Sequence, residues 1–249
     1  MGLEGKVVLV TGASRDIGAA TALELARHGA RVIAGARNGA GLAELARRAG
    51  EARGEIAPLV MDVRQEADVK NAVASARERF GGLDALVNNA AVGALGRVES
   101  QSAEDWRTVF ETNVVGTLLC CREAIPLLAE RSGTIVNLSS AAAEDGFPYL
   151  AAYSASKAAI AALSVALRRE LKERKIRVST LRIHYVASEF LSGYPAERLV
   201  EATGAWTKEG LLAPVPLMPP GRVAETIRFL LELPTDASIH DIDVRANGA

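Results

Sequence analysis

This chain of 249 residues has little cysteine, little histidine, no surplus of either charge and no long hydrophobic run, and each shortage excludes something. Its two cysteines, Cys120 and Cys121, are neighbours in a segment with helical patterning. Adjacent helical residues point about 100° apart, which disfavours a structural disulfide, so both are expected as small buried side chains. His28, His184 and His240 lack ligand-like spacing, and no metal site is expected. No apolar stretch approaches the ~20 uninterrupted residues of a membrane-crossing helix. The start, Met1 to Lys6, carries no secretory pattern. The expectation is a soluble, cytoplasmic protein without a membrane partner. Twenty-nine basic residues face 30 acidic ones, a net charge of -1, which supplies no electrostatic reason for binding nucleic acid.

What is present is a regular alternation. Short apolar or β-branched runs at 6–11, 31–36, 55–61, 85–88, 133–138, 176–182 and 241–245 read as strands. Amphipathic, alanine-rich stretches at 17–28, 40–48, 67–80, 103–129, 155–174 and 222–233 read as helices between them. Strands separated by helices imply right-handed crossovers: an α/β chain, doubly wound, with a parallel sheet of about seven strands and helices on both faces. Val7-Val8-Leu9-Val10 is continuously apolar, as a strand covered on both faces should be. No repeat or linker interrupts the pattern, so residues 1–249 read as one domain. The rhythm breaks at 189–220, which carries Pro195, Pro214, Pro216, Pro219 and Pro220. Loops and a short helix near 196–202 are expected there, placed to cover a ligand crevice at the carboxyl ends of the strands.

The first strand runs into Thr11-Gly12-Ala13-Ser14-Arg15-Asp16-Ile17-Gly18 and then a helix. A tight glycine turn before a helix N-terminus presents backbone N–H groups and a positive dipole end, suited to a diphosphate. Further on, Tyr153 and Lys157 are four residues apart and project from the same helix face. A nearby ammonium favours the phenolate and should bring the tyrosine from its usual ~10 toward working range. Ser140, at the end of an apolar run, can meet that face above the sheet, with Ser139 as the competing serine.

Together with Asn113, these features resemble the short-chain dehydrogenase/reductase family, whose Asn-Ser-Tyr-Lys tetrad would here be Asn113, Ser140, Tyr153 and Lys157. The resemblance runs from Lys6 to Arg245 and implies a Rossmann fold and a hydride exchanged between a nicotinamide and a ketone, aldehyde or secondary alcohol. Tyr153 would be the acid or base, Lys157 would also hold the nicotinamide ribose, and Asn113 would position a water that links Lys157 to solvent. Gly12, Ser14, Arg15, Asp16, Ile17 and Gly18 match the cofactor loop, with Asp16 where the family has glycine. The second strand ends in Ala36-Arg37, where the family's NAD enzymes carry an acidic residue. Arg37 with Arg15 resembles the basic pair of NADP-preferring members, so NADP(H) is expected over NAD(H). By resemblance, Asp62 and Val63 flank the adenine, Asn88 and Ala90 line the cleft, and Val186 and Ser188 meet the nicotinamide carboxamide. The family's Asn-Asn-Ala-Gly ends here in Ala91, and its Pro-Gly after the sixth strand is Ile183-His184. Ala91, Tyr149, His184, Tyr185 and Phe190 are the expected substrate contacts, in an apolar pocket. A homotetramer or homodimer built on helices 103–129 and 155–174 is the implied assembly. Two other readings stay open: a cofactor-binding regulatory protein without turnover, and an isomerase or dehydratase on the same scaffold.

Overall fold

The structure is a computed structural model that describes residues 2–50, 52–212 and 215–247. Pro214 lies outside the described residues, as does Met1. Among the described residues, seven strands form one sheet: β1 Val7–Thr11, β2 Arg31–Ala36, β3 Glu55–Val60, β4 Ala85–Asn88, β5 Thr134–Ser140, β6 Arg177–Ile183 and β7 Asp241–Val244. All neighbours pair in parallel, in the order β3-β2-β1-β4-β5-β6-β7. The chain winds outward in one direction from β1 to β3 and in the other from β4 to β7. A crevice therefore opens at the carboxyl ends of β1 and β4, where the winding reverses.

The alternation along β1 explains how one sheet is covered twice. Val8 and Val10 face one side and join Ala22 and Leu23 of α1 (Asp16–Arg27), Leu42 and Leu45 of α2 (Gly39–Ala49), and Val223 and Ile227 near the carboxyl terminus. Val7 and Leu9 face the other side and join Val69 and Ala72 of α3 (Glu66–Phe80) with residues from the helix following β4. That helix runs from Ala103 to Glu130 as α4 (Ala103–Phe110), a π-helical turn at Glu111–Val115 and α5 (Gly116–Glu130). By length and composition it could cross a bilayer, but 56% of its most apolar window is buried inside the protein, as in a core helix. Cys120 and Cys121 lie there as buried free thiols; burial pushes the Cys121 thiol up to about 12 and Cys120 higher still.

Elements after β5 shape the crevice. The short α6 (Ala142–Asp145) precedes α7 (Ala151–Glu170), which starts four residues before the expected 155 and so contains Tyr153 within its first turn. In the 189–220 stretch, α8 (Ala196–Lys208) is longer than the expected 196–202 helix, because Ala202 and Trp206 continue an apolar face against Phe147 and Leu150. α9 (Pro220–Glu232) then packs against α1, with Pro219 and Pro220 at its start, where the missing N–H costs nothing.

Candidate active site

The floor of the site is a braced turn. Thr11 Oγ1, at the end of β1, accepts the N–H groups of Asn89 and Ala90, both at 3.1 Å. Asn89 Nδ2 in turn donates to the carbonyls of Thr11 (2.9 Å) and Gly12 (3.2 Å). Gly12 has φ +66, and a Cβ there would stand 2.8 Å from Ala90 Cα. A Cβ on Gly18 would stand 2.2 Å from the Gly12 carbonyl, so both positions require glycine. At the head of α1, Arg15 is the N-cap residue and makes no side-chain cap bond, so the first-turn amides are offered to the crevice. That donor set is the one a diphosphate needs.

The expected cofactor residues do not all serve alike. Gly12, Ser14, Ile17 and Gly18 stand in the turn and first helical turn. The Asn88 amide is buried and donates to Asn137 Oδ1 (2.8 Å) and Cys121 Sγ (3.3 Å), so its side chain packs in the core. Asn89, one residue on, braces the crevice, and β-strand alternation is the signal that distinguishes them. Arg37 is exposed at the end of β2 and close enough to Asp62 to lower its pKa. Asp62 is held chiefly by Arg64, whose Nη2 donates to Oδ2 at 2.6 Å and whose Nε lies 3.0 Å from it. The Arg64 contact with Asp62 has no signal in the sequence, because Asp-Val-Arg carries no motif. Val63 packs on Gly116, where a Cβ would meet Val63 Cγ2 at 2.7 Å. Val186 pairs with Met218 in an isolated bridge flanked by the Ala187 N–H to Met218 carbonyl bond (2.9 Å). Arg15 is ion-paired: its Nη1 lies 3.2 Å from Glu189 Oε2.

The four tetrad residues are tied into one framework. Ser139 and Ser140 alternate across β5 and so face opposite ways. Ser139 is buried and donates to the Lys157 carbonyl at 3.0 Å, gluing α7 to the sheet. Ser140 faces the crevice, accepts the Ala142 N–H at 3.2 Å and hydrogen bonds to Tyr153. Asn113 sits in the π-helical turn, where the extra residue re-aims the side chain inward. Its Oδ1 accepts the Val92 N–H (2.8 Å), and its Nδ2 donates to the Val92 carbonyl (2.9 Å) and to Ser156 Oγ (2.9 Å). Ser156 donates to the Tyr153 carbonyl at 2.7 Å, so Asn113 reaches the α7 backbone through one hydroxyl. Lys157 is buried, donates to the Leu138 carbonyl at 2.8 Å and places Nζ 5.6 Å from the Tyr153 ring centroid.

The electrostatics differ from the simple Tyr–Lys expectation. Burial pushes the Tyr153 phenol up to about 12, with the Ser140 hydrogen bond pulling the other way. Burial also takes Lys157 down to about 8. The expected lowering of the tyrosine by its lysine is overturned here: desolvation dominates, and Nζ is directed at a main-chain carbonyl rather than the phenol oxygen. At neutral pH the pair is therefore neutral phenol and ammonium, a proton source beside a cation.

The walls are apolar. Tyr149, Tyr153, Tyr185 and Tyr194 pack with Phe147, Leu150 and Trp206. Tyr149 has φ +66, a strained angle for a tyrosine, and is held by its carbonyl accepting Gly96 N–H (2.9 Å) and its hydroxyl accepting Arg97 Nε (3.1 Å). Trp206 Nε1 donates to the Pro148 carbonyl at 2.6 Å and roofs the same side. Phe190 lies on Tyr153 with ring centroids 4.8 Å apart. Ala91 is half-buried beside the Val92 clamp. His184 differs from the other expected substrate contacts, because its Nε2 lies 3.7 Å from Asp243 Oδ1 on β7 while its ring meets Tyr185 edge-on. Burial, and then Arg245, hold its pKa below the ordinary histidine value.

A family profile described as short chain dehydrogenase matches residues 6–198. A 3-oxoacyl-(acyl-carrier-protein) reductase of Thermotoga maritima is 34% identical over 239 residues, covering 96% of this chain and 94% of its own. L-Sorbose reductase from Gluconobacter frateurii, solved with NADPH and L-sorbose, superposes with a TM-score of 0.86 at 29% identity, over 98% of this chain and 96% of that one. An alcohol dehydrogenase from the archaeon Thermococcus sibiricus, solved with 5-hydroxy-NADP, superposes with a TM-score of 0.84 at 28% identity, over 98% and 97% of the two chains.

Proposed function

The chain belongs to the short-chain dehydrogenase family, and from that premise we propose that it is an NADP(H)-dependent reductase of ketones or aldehydes, reversible toward secondary alcohols, with Tyr153 as the proton-transferring group. Oxidoreductase chemistry on CH–OH and C=O groups comes with the family. One observation carries the finer reading: a neutral buried phenol is hydrogen-bonded to a serine hydroxyl, with a lysine ammonium 5.6 Å from its ring centroid, at the same carboxyl edge of the sheet as an uncapped helix N-terminus.

The residues present suit a dinucleotide. The amides of Ile17 and Gly18, with Gly12 and Ser14, would hold the diphosphate. Asp62 and Val63 would flank the adenine, Ala90 would line the central cleft, Val186 and Ser188 would meet the nicotinamide carboxamide, and Lys157 would hold its ribose. The absence of an acid at Ala36 and the presence of Arg37 beside Asp62 favour the 2′-phosphate of NADP. The two structural neighbours solved with NADPH and 5-hydroxy-NADP support a nicotinamide cofactor. When bound, the nicotinamide supplies or accepts the hydride.

Ser140 accepts one amide and hydrogen bonds to Tyr153, so its hydroxyl stands beside the phenol, where it would turn to donate to a substrate carbonyl oxygen. Tyr153, protonated at neutral pH, donates to the same oxygen as negative charge develops there, and Lys157 stabilises the phenolate left behind. The aromatic wall around Tyr149, Tyr185 and Phe190 suits an apolar substrate. Exposed Leu118 on α5 and Val165 on α7 support a homo-oligomer through those helices.

The test is NADPH consumption across a panel of ketones, aldehydes and the matching alcohols with NADP. Wild type should turn over at least one class, and Tyr153→Phe should lose about 10²–10⁴-fold in kcat while still binding NADPH. Binding without turnover across the panel would favour a regulatory role. Product formed without net NADPH change would point to an isomerase or dehydratase.

A further inference from the structure

Asp16 occupies a left-handed backbone position, φ 49, that glycine, asparagine and aspartate tolerate. Glycine would satisfy the turn, so the carboxylate needs its own reason. Both of its oxygens lie 3.2 Å from the backbone N of Glu189, 173 residues away on the segment that follows β6. The Glu189 side chain returns the contact, with Oε2 3.2 Å from Arg15 Nη1, and Arg15 Nε lies 3.6 Å from Asp16 Oδ2. Arg15, Asp16 and Glu189 thus close a ring of contacts between the glycine-rich turn and the segment beyond Ser188.

The residue after Glu189 is Phe190, whose ring lies on Tyr153. Gly93 makes room for that ring, since a Cβ there would stand 2.8 Å from Phe190 Cζ. The segment is anchored elsewhere by the Ala187 N–H on the Met218 carbonyl (2.9 Å) and by the Tyr194 hydroxyl on the Gly93 carbonyl (2.8 Å). Those anchors tie it to its own side of the crevice. The Asp16–Glu189 contact ties it to the other side, at the glycine-rich turn.

We propose that Arg15, Asp16 and Glu189 form a clasp across the dinucleotide cleft that limits how fast cofactor leaves and that seats Phe190 on the catalytic tyrosine. The inference rests on the dinucleotide reading of this cleft. Asp16 is a positioning residue in this scheme, and pairing with Glu189 N–H and Arg15 compensates a charge that would otherwise repel the diphosphate. The carboxylate–amide bond is the stronger half, because the Asp16 side chain is only 23% exposed whereas those of Arg15 and Glu189 are 52% and 69% exposed and their pairing is screened by salt.

Three variants test it: Asp16→Gly, which accepts the same φ and deletes the carboxylate; Asp16→Asn, which keeps an acceptor oxygen; and Glu189→Ala, which keeps the amide and deletes the pair with Arg15. Hydrogen exchange of segment 186–194 is followed without ligand, and NADPH release is followed by stopped-flow fluorescence against excess NADP. D16G should speed exchange at the Glu189 amide and NADPH release by roughly tenfold each. D16N should restore most of the protection, and E189A should show a smaller change in the same direction. Unchanged exchange in D16G overturns the clasp, as does faster exchange with unchanged NADPH release. A wild-type protein that binds neither NADPH nor NADH overturns the dinucleotide reading and the clasp's role with it; binding with unaltered release overturns the clasp alone.

Discussion

Replacing Lys157 by methionine should stabilise the ligand-free protein at neutral pH. Its side chain is buried against the Leu138 carbonyl, and burial lowers its pKa from 10.5 to about 8. A gap of that size means the buried ammonium costs the folded state about 3 kcal/mol at neutral pH. The sign follows from proton counts. Below about 8 both folded and unfolded chains carry the proton, the full cost is present and this group gives no pH slope. Between about 8 and 10.5 the unfolded chain holds more protons, so wild-type stability rises with pH as the cost is relieved. Methionine fills the same space without a charge but leaves the Leu138 carbonyl without this donor, a loss of about 1–2 kcal/mol. The expected result is a variant about 1–2 kcal/mol more stable at neutral pH, an advantage that shrinks and then reverses across the window from about 8 to 10.5. Urea unfolding of both proteins over that range reads the difference directly, since other titrating groups are common to both. A stability difference that stays constant with pH would refute the assignment of Lys157 as a buried cation held against its desolvation cost.

Carbonyl reduction should depend on the same ammonium. With Lys157 near 8 and Tyr153 near 12, kcat/KM for reduction should be flat through neutral pH and fall as pH rises through about 8, when the cation is lost. A profile with no break between neutral pH and about 10 would separate Lys157 from turnover. Arg37→Ala should weaken NADPH by roughly tenfold in Kd and leave NADH nearly unaffected, measured by fluorescence titration. Equal losses for both cofactors would place Arg37 away from the 2′-phosphate.

Most of the architecture could be read from one chain, because its signals are local. Strand β1 is a continuous apolar run, and its residues sort by parity alone onto the two faces of the sheet. Gly12 and Gly18 announce a turn that other residues cannot make. Tyr153 and Lys157 announce a shared helix face by their spacing. Boundaries were less legible: α7 begins at Ala151 because Phe147 and Leu150 pack against the α8 face, a contact between distant segments.

By itself, then, the sequence determined the alternation of strands and helices, the phosphate-type turn and the shared helix face of Tyr153 and Lys157, since each depends on periodicity or short spacing. Tertiary structure decided what each side chain does. Strand alternation in three dimensions buried Ser139 and exposed Ser140, and sent Asn88 into the core while Asn89 braced the turn. Burial, a property of the whole fold, raised Tyr153 and lowered Lys157 against the expectation drawn from their proximity. The contact between Asp16 and the Glu189 amide joins residues 173 positions apart, and no local pattern can carry that information.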